Sequence, residues 1–150
     1  MQHRISSGAL VVCDGRILLV HHHGSGPHDF WIAPGGGVEG GETLEAAAAR
    51  ETLEEAGLAV RIDRLAYIDE LWTESARVVK FWFLAEYVSG ALNVAGNPAD
   101  DESIVEAGWF ARSTLPAGHV FPEPLRDRFW IDLERGFPAP IKLPLKRSMF

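Results

Sequence analysis

The chain has 150 residues, 47% of them hydrophobic, with a formal net charge of −7 and a single cysteine. That length and apolar share suit one globular core, and one cysteine excludes an internal disulfide and a cysteine-built zinc site. The acidic balance, with no lysine- or arginine-rich block, argues against nonspecific nucleic-acid binding but leaves small anionic ligands open, because a bound cation reverses the local field.

Residues 4–13 are rich in β-formers and residues 16–23 read as a second strand, with Asp14-Gly15 between them as a hairpin signal. Cys13 reads as a plain buried thiol. The apolar stretch 8–20 is broken by Asp14, Gly15 and Arg16, so it is neither a signal peptide nor a membrane span, and the default compartment is the cytoplasm. Residues 24–29 form a loop, and 30–33 a short strand that ends at Pro34. The glycine-rich stretch 35–41 reads as irregular. A helix is expected over 44–56, with Thr43 as N-cap and Gly57 just past its end. Its apolar stripe of Ala46, Ala49, Leu53 and Ala56 is expected to face a sheet.

Residues 59–69 and 77–88 read as strands, 93–102 as a polar loop and 104–110 as a last strand. Pro122 suits the first turn of a helix that continues through 123–135. The stretch 136–150 carries three prolines and reads as an extended tail. There are no repeats or linkers, so residues 1–150 are taken as one domain. The order βββαβββα with hairpin-like connections predicts an α+β fold, a mixed sheet flanked by helices in an α/β/α sandwich, not a Rossmann fold.

The chemistry concentrates in the central helix. At 100° per residue Glu51, Glu54 and Glu55 fall within about a quarter turn, opposite the Ala46/Leu53 stripe. Pairs 51/54 and 51/55 are like charges at i,i+3 and i,i+4, each costing a few tenths of a kcal/mol (~0.2–0.5) when exposed. A solvated acidic face is one reading. A divalent cation is the other, and hard oxygen ligands suit Mg²⁺ or Mn²⁺. Ala47 and Ala48 adjoin the acids and are expected to leave room above them. The preceding glycines allow close backbone approach, and a glycine loop feeding a helix presents N–H groups to phosphate.

This segment resembles the Nudix box of the Nudix hydrolase family (MutT-like): G, five residues, E, seven residues, then R-E-U-x-E-E-x-G-U, with U usually aliphatic. The match runs through Gly36, Glu42, Arg50, Glu51, Glu54, Glu55, Gly57 and Leu58. Thr52 departs at the first U position, where a β-branched side chain can still pack. The resemblance implies the family's α/β/α sandwich, and hydrolysis of a phosphoanhydride in a nucleoside diphosphate linked to another group. It implies Glu51, Glu54 and Glu55 as ligands of Mg²⁺ or Mn²⁺, with the Gly35 carbonyl as a further ligand. Gly36 and Gly37 would approach the phosphates, Arg50 would orient a glutamate, and Glu42 and Gly57 would be structural. Glu54 is the expected general base, with Glu51 and a loop acid behind it.

Outside the box, His21 and His23 share a strand face, and the resemblance suggests a phosphate contact for one of them; a transition-metal site there is disfavoured beside oxygen ligands. Glu102, ahead of Asp101, is the candidate loop acid. In "VVKFWF", Phe81 and Phe83 alternate with Trp82, so both sets cannot share one core. The family's proline marker for ADP-ribose enzymes and tyrosine marker for diadenosine polyphosphate enzymes are missing from 72–77. With the chain's short length, this favours a nucleoside triphosphate as substrate. ADP-ribose or another nucleotide sugar is the alternative, and a non-catalytic ligand-sensing domain is the rival of another class. Isopentenyl diphosphate isomerase, which shares the fold, is disfavoured because Cys13 lies far upstream of the box. The expected partner is a small nucleotide, with no nucleic acid or membrane; homodimerisation is left open.

Overall fold

The computed structural model describes residues 1–95 and 103–149. Two aliphatic strands form its centre. β1 (Gln2–Cys13) and β2 (Arg16–His22) are joined by Asp14 and Gly15, whose φ angles of 51° and 73° both lie in the left-handed region, as a type I′ hairpin turn requires. Alternate residues point to opposite faces, and both faces are buried: Leu10, Ile17 and Leu19 join one cluster, and Ala9, Val11, Leu18 and Val20 the other. Uninterrupted apolar runs therefore mark a sheet covered on both sides. Cys13, at the hairpin end, is only partly buried, because the strand has already left the covered region there.

The sheet is mixed, as expected. β1 runs parallel to β6 (Ala76–Ser89), which pairs antiparallel with β5 (Ala59–Trp72). β2 carries β3 (Phe30–Ile32) and β7 (Ile104–Phe110), both antiparallel, and β3 carries β8 (His119–Phe121) in parallel. The three glycines expected to be irregular form a short strand, β4 (Gly35–Gly37), antiparallel to Ser6–Gly8 of β1. Contact at this crossing is too close for side chains: a Cβ on Gly35 would lie 2.8 Å from Gly8 Cα, and one on Gly8 2.5 Å from the Trp82 ring. Here glycine permits pairing instead of preventing it.

α1 (Leu44–Ala56) has the expected ends. Thr43 Oγ1 accepts the Ala46 N–H at 3.0 Å, and Gly57 closes the helix at φ 77°, its N–H donating to Leu53 O. Its buried face is rotated from the expected one: of the stripe expected to face the sheet, Ala56 is buried and Ala49 half-buried. Ala47, Ala48, Glu51, Thr52, Glu55 and Ala56 face the protein, whereas Ala46 is exposed and Leu53 is 56% exposed. Alanines let the helix approach the sheet closely, so Ala47 and Ala48 are packed beneath the helix and leave no open space. Thr52, at the departing box position, is fully buried and donates from Oγ1 to Ala48 O at 2.8 Å.

The helix expected over 123–135 is broken. A 3₁₀ turn (Glu123–Arg126) precedes α2 (Phe129–Glu134), because Asp127 leaves the helical region at φ −138°, ψ −90°. α2 is fixed to the sheet through Asp132, whose Oδ2 accepts from Tyr67 Oη at 2.6 Å and from Arg128 Nε at 2.7 Å. The tail is extended but docked. β9 (Ile141–Lys142) and β10 (Lys146–Arg147) run parallel to β5, and Phe137 and Leu143 enter the Leu10 cluster. α1 thus covers one sheet face, and α2 with the C-terminal segment covers the other. Trp82 lies in the Leu10 cluster, and Phe81 and Phe83 lie in or against the Val11 cluster, as alternation requires. Among the described residues no helix is long and apolar enough to cross a membrane.

Candidate active site

The glycine strand and the acidic face of α1 meet at Arg50. Its Nε and Nη2 donate to the two oxygens of Glu42 at 3.1 and 2.7 Å, a bidentate pair. Nη2 also donates to Gly37 O at 3.1 Å, and Nη1 to Glu51 Oε1 at 3.0 Å and Glu54 Oε2 at 3.2 Å. Glu42 Oε1 additionally accepts the Glu39 N–H at 2.8 Å. These contacts join loop, helix start and acids. The Arg50 hydrogen bond first, and the Glu39 N–H second, hold the Glu42 pKa down to about 2. The Glu42 bond likewise raises the Arg50 pKa.

Glu51 and Glu55 are 7% and 2% exposed, unusual for carboxylates without compensation. Glu55 Oε1 accepts the Gly35 N–H at 2.7 Å. A Cβ on Gly36 would sit 2.6 Å from Glu51 Oε1, so glycine is what lets this backbone lie against the acid. Ser6 Oγ donates to Gly36 O at 2.8 Å and Ser7 Oγ to Leu44 O at 2.6 Å, anchoring the loop and the helix start to β1. The donor set, three carboxylates with two of them buried beside a backbone they touch, fits a hard divalent cation.

Gly36 and Gly37 also line a cavity of about 280 Å³. Arg4, Ser6, Asp69, Lys80, Trp82 and Lys146 are among its lining. Lys80 sits over the Trp82 ring at 4.2 Å from its centroid. Desolvation lowers the Lys80 pKa, against the fields of Glu55, Glu51 and Asp69, which raise it. Sequence reasoning missed Ser6, Lys80, Asp69 and Lys146. A lysine inside "VVKFWF" and serines inside a central strand were the available signals.

His21 and His23 both contact carboxylates. His21 Nε2 lies 2.8 Å from Asp29 Oδ1 and Nδ1 lies 3.1 Å from Glu106 Oε1, and the ring stacks on Trp31 at 4.6 Å. His23 Nδ1 is 3.3 Å from Asp29 Oδ2. Burial lowers the His21 pKa, but the two carboxylates prevail and raise it. Neither histidine lines the cavity beside the box. Among the described residues, His21, His23 and Asp29 bring ligand atoms within 4.8 Å of one another. The glutamates are not drawn together in this way: Glu51 and Glu54 lean on Arg50, and Glu55 on Gly35. Asp101 and Glu102, the expected loop acids, lie outside the described residues.

Comparison with known proteins bears on the same segment. The family model described as NUDIX domain matches residues 2–129. The NAD-capped RNA hydrolase NudC of Citrobacter koseri is 37% identical over 102 residues, 67% of this chain and 36% of that protein, so the match spans little more than a third of this curated relative. A MutT NUDIX hydrolase from Burkholderia pseudomallei superposes with TM-score 0.66 at 31% identity, covering 89% of this chain and 98% of the other. A NUDIX hydrolase from Nitrosomonas europaea gives TM-score 0.77 at 22% identity over 99% of this chain and 81% of the other, a likeness of fold.

Proposed function

The chain belongs to the NUDIX family of hydrolases, and we propose that it cleaves a phosphoanhydride bond in a nucleoside diphosphate derivative, using Mg²⁺ or Mn²⁺ held by Glu51, Glu54 and Glu55. The observation that carries this reading is the pair of buried carboxylates, Glu51 and Glu55, beside Gly35 and Gly36, where an added Cβ would not fit. The Gly35 carbonyl is the further ligand in this proposal. Bound there, a divalent ion neutralises phosphate charge and lowers the pKa of its water.

The chain's own groups supply the rest. Arg50 holds Glu51 and Glu54 in place and keeps their charge compensated without substrate. Glu54, partly exposed and held at 3.2 Å by Arg50, is the proposed base that accepts the proton of the attacking water. Gly36 and Gly37 line the cavity, and Gly36 lies against Glu51, so phosphates lie along their backbone with the remainder of the substrate in the cavity. Lys80 and Arg4 offer positive charge on that path.

A nucleoside triphosphate is the proposed substrate. A dinucleotide-type substrate such as ADP-ribose is the second reading, and the observation favouring it is the docked C-terminal segment, which adds a wall beyond the box. The name of the Citrobacter relative, an NAD-capped RNA hydrolase, places capped RNA in the same panel. The test measures kcat/KM for NTPs, dNTPs, ADP-ribose, NAD and NAD-capped RNA under one metal and pH. EDTA abolishes turnover and excess Mg²⁺ restores it. Glu54→Gln and Glu55→Gln each lower kcat by several powers of ten, while the metal-free protein melts near the wild-type temperature. Full activity in EDTA, or near-wild-type activity of either variant, overturns the ligand set. Binding without turnover by the wild type supports the ligand-sensing alternative.

A further inference from the structure

The end of β2 gathers side chains of a different chemistry from the box. Antiparallel pairing sets His21 opposite Trp31 and His22 opposite Phe30, so the next step of the ladder brings His23 across from Asp29. On the other side of β2, β7 sets Glu106 opposite His21. The connecting turn folds back tightly: a Cβ on Gly24 would lie 2.6 Å from His28 O, and the Asp29 N–H donates to Gly26 O at 3.2 Å. The sheet ladder, not chance meeting of long side chains, therefore places these groups.

Asp29 offers one oxygen to each imidazole. Oδ1 stands 2.8 Å from His21 Nε2 and Oδ2 stands 3.3 Å from His23 Nδ1. The Trp31 ring, stacked on His21 at 4.6 Å and 6°, fixes the plane of that imidazole. His21 Nδ1 lies 3.1 Å from Glu106 Oε1, so both ring nitrogens face carboxylates. A neutral imidazole carries one N–H and one lone pair. Only one of the two contacts is then a hydrogen bond, and the other nitrogen needs a second proton or a metal ion.

We propose that His21 Nε2, His23 Nδ1 and Asp29 form a metal site separate from the box, for Zn²⁺ or another borderline divalent ion that accepts mixed nitrogen and oxygen donors. Tetrahedral ligand atoms with bonds of about 2.0–2.1 Å stand about 3.3 Å apart. The three donors here already lie within 4.8 Å of one another, two of the separations being 2.8 and 3.3 Å. Glu106 is the outer carboxylate: it takes the Nδ1–H of His21, which leaves the Nε2 lone pair for the ion. His23 is 69% exposed, so one side of the site is open to an entering ion and to water as the fourth ligand. The box's preference for oxygen ligands does not bear on this site, because the two sets share no residue. The proposal is independent of the hydrolase reading.

The test is calorimetric titration with Zn²⁺ in saturating Mg²⁺, on the wild type, His23→Ala, Asp29→Asn and Glu55→Gln. The wild type takes up one Zn²⁺ per chain that His23→Ala and Asp29→Asn lose or bind at least tenfold more weakly, and that Glu55→Gln retains. His23 is exposed, so its truncation leaves the fold intact, and thermal melts without zinc check this for both variants. Co²⁺ adds a readout that oxygen ligands do not give: the wild type shows the strong visible absorption of a four-coordinate site with nitrogen donors, and His23→Ala does not. A triad held together by a proton on His21 takes up no Zn²⁺, which overturns the proposal. Uptake unchanged in either His23→Ala or Asp29→Asn overturns it, as does uptake lost in Glu55→Gln, which would put the zinc at the box.

Discussion

At the scale of single residues the box is organised around Arg50, and pH shows what that costs to undo. Glu42 titrates at about 2 in the folded protein against an ordinary 4.5, first because of its Arg50 hydrogen bond. A depressed carboxyl pKa stabilises the fold above the unfolded value and loses that contribution as pH falls. The window here is therefore from about 4.5 down to about 2. Wild type should lose melting temperature steeply through this window, and Glu42→Gln should show a shallower limb, with the two approaching one another near pH 2. Thermal melts at half-unit pH steps check this; parallel limbs would remove Glu42 from the linkage. Glu42, Arg50 and the three helix acids were legible from sequence because each is fixed by identity at a motif position. Asp69, Lys80 and Lys146 were not, because their adjacency depends on the β5/β6 and β5/β10 registers and on no local spacing.

At the scale of elements, α1 shows why apolar periodicity misled. The helix bounds and both caps follow from Thr43, Gly57 and composition. The buried face does not, since a stripe search counts Leu53 as inward and glutamates as outward. Two effects reverse this. Alanine permits close helix–sheet approach, and the Gly35 N–H and Arg50 satisfy carboxylates that otherwise stay in water. The same closeness made Gly35–Gly37 a strand. The orientation is testable with two substitutions on one helix. Leu53→Ala should change stability by no more than about 0.5 kcal/mol, as for an exposed site. Ala48→Leu, at a position with no exposed surface, should cost about 1–3 kcal/mol by overpacking. Urea unfolding measures both, and a larger loss at Leu53 would restore the orientation expected from the stripe.

At the scale of the whole molecule, the sheet's two covered faces divide the work: α1 and its acids lie on one, and α2 and the C-terminal segment lie on the other, where the C-terminal segment completes the cavity wall. The first was readable, because the runs in β1 and β2 have no polar face and demand cover on both sides. The second was not, because strands of two residues carry no periodicity and three prolines read as an extended tail. What docks the segment is alternation over a few residues. Leu143 is 5% exposed and packs with Tyr67 and Phe129 in one cluster, its N–H donating to Ile68 O at 2.9 Å, whereas Leu145 is 48% exposed. Leu143→Ala should therefore cost about 2–5 kcal/mol, the range for a buried leucine truncated in a packed core. Leu145→Ala, two residues away, should stay within about 0.5 kcal/mol. Lys146 follows directly and is held by the same docking, so Leu143→Ala should also raise KM more than it lowers kcat, a loss of binding that precedes the chemical step. Denaturant melts and steady-state kinetics on the two variants measure both effects. Equal stability of the two variants would mean that the segment is not docked in solution. A loss confined to kcat would separate it from the substrate cavity.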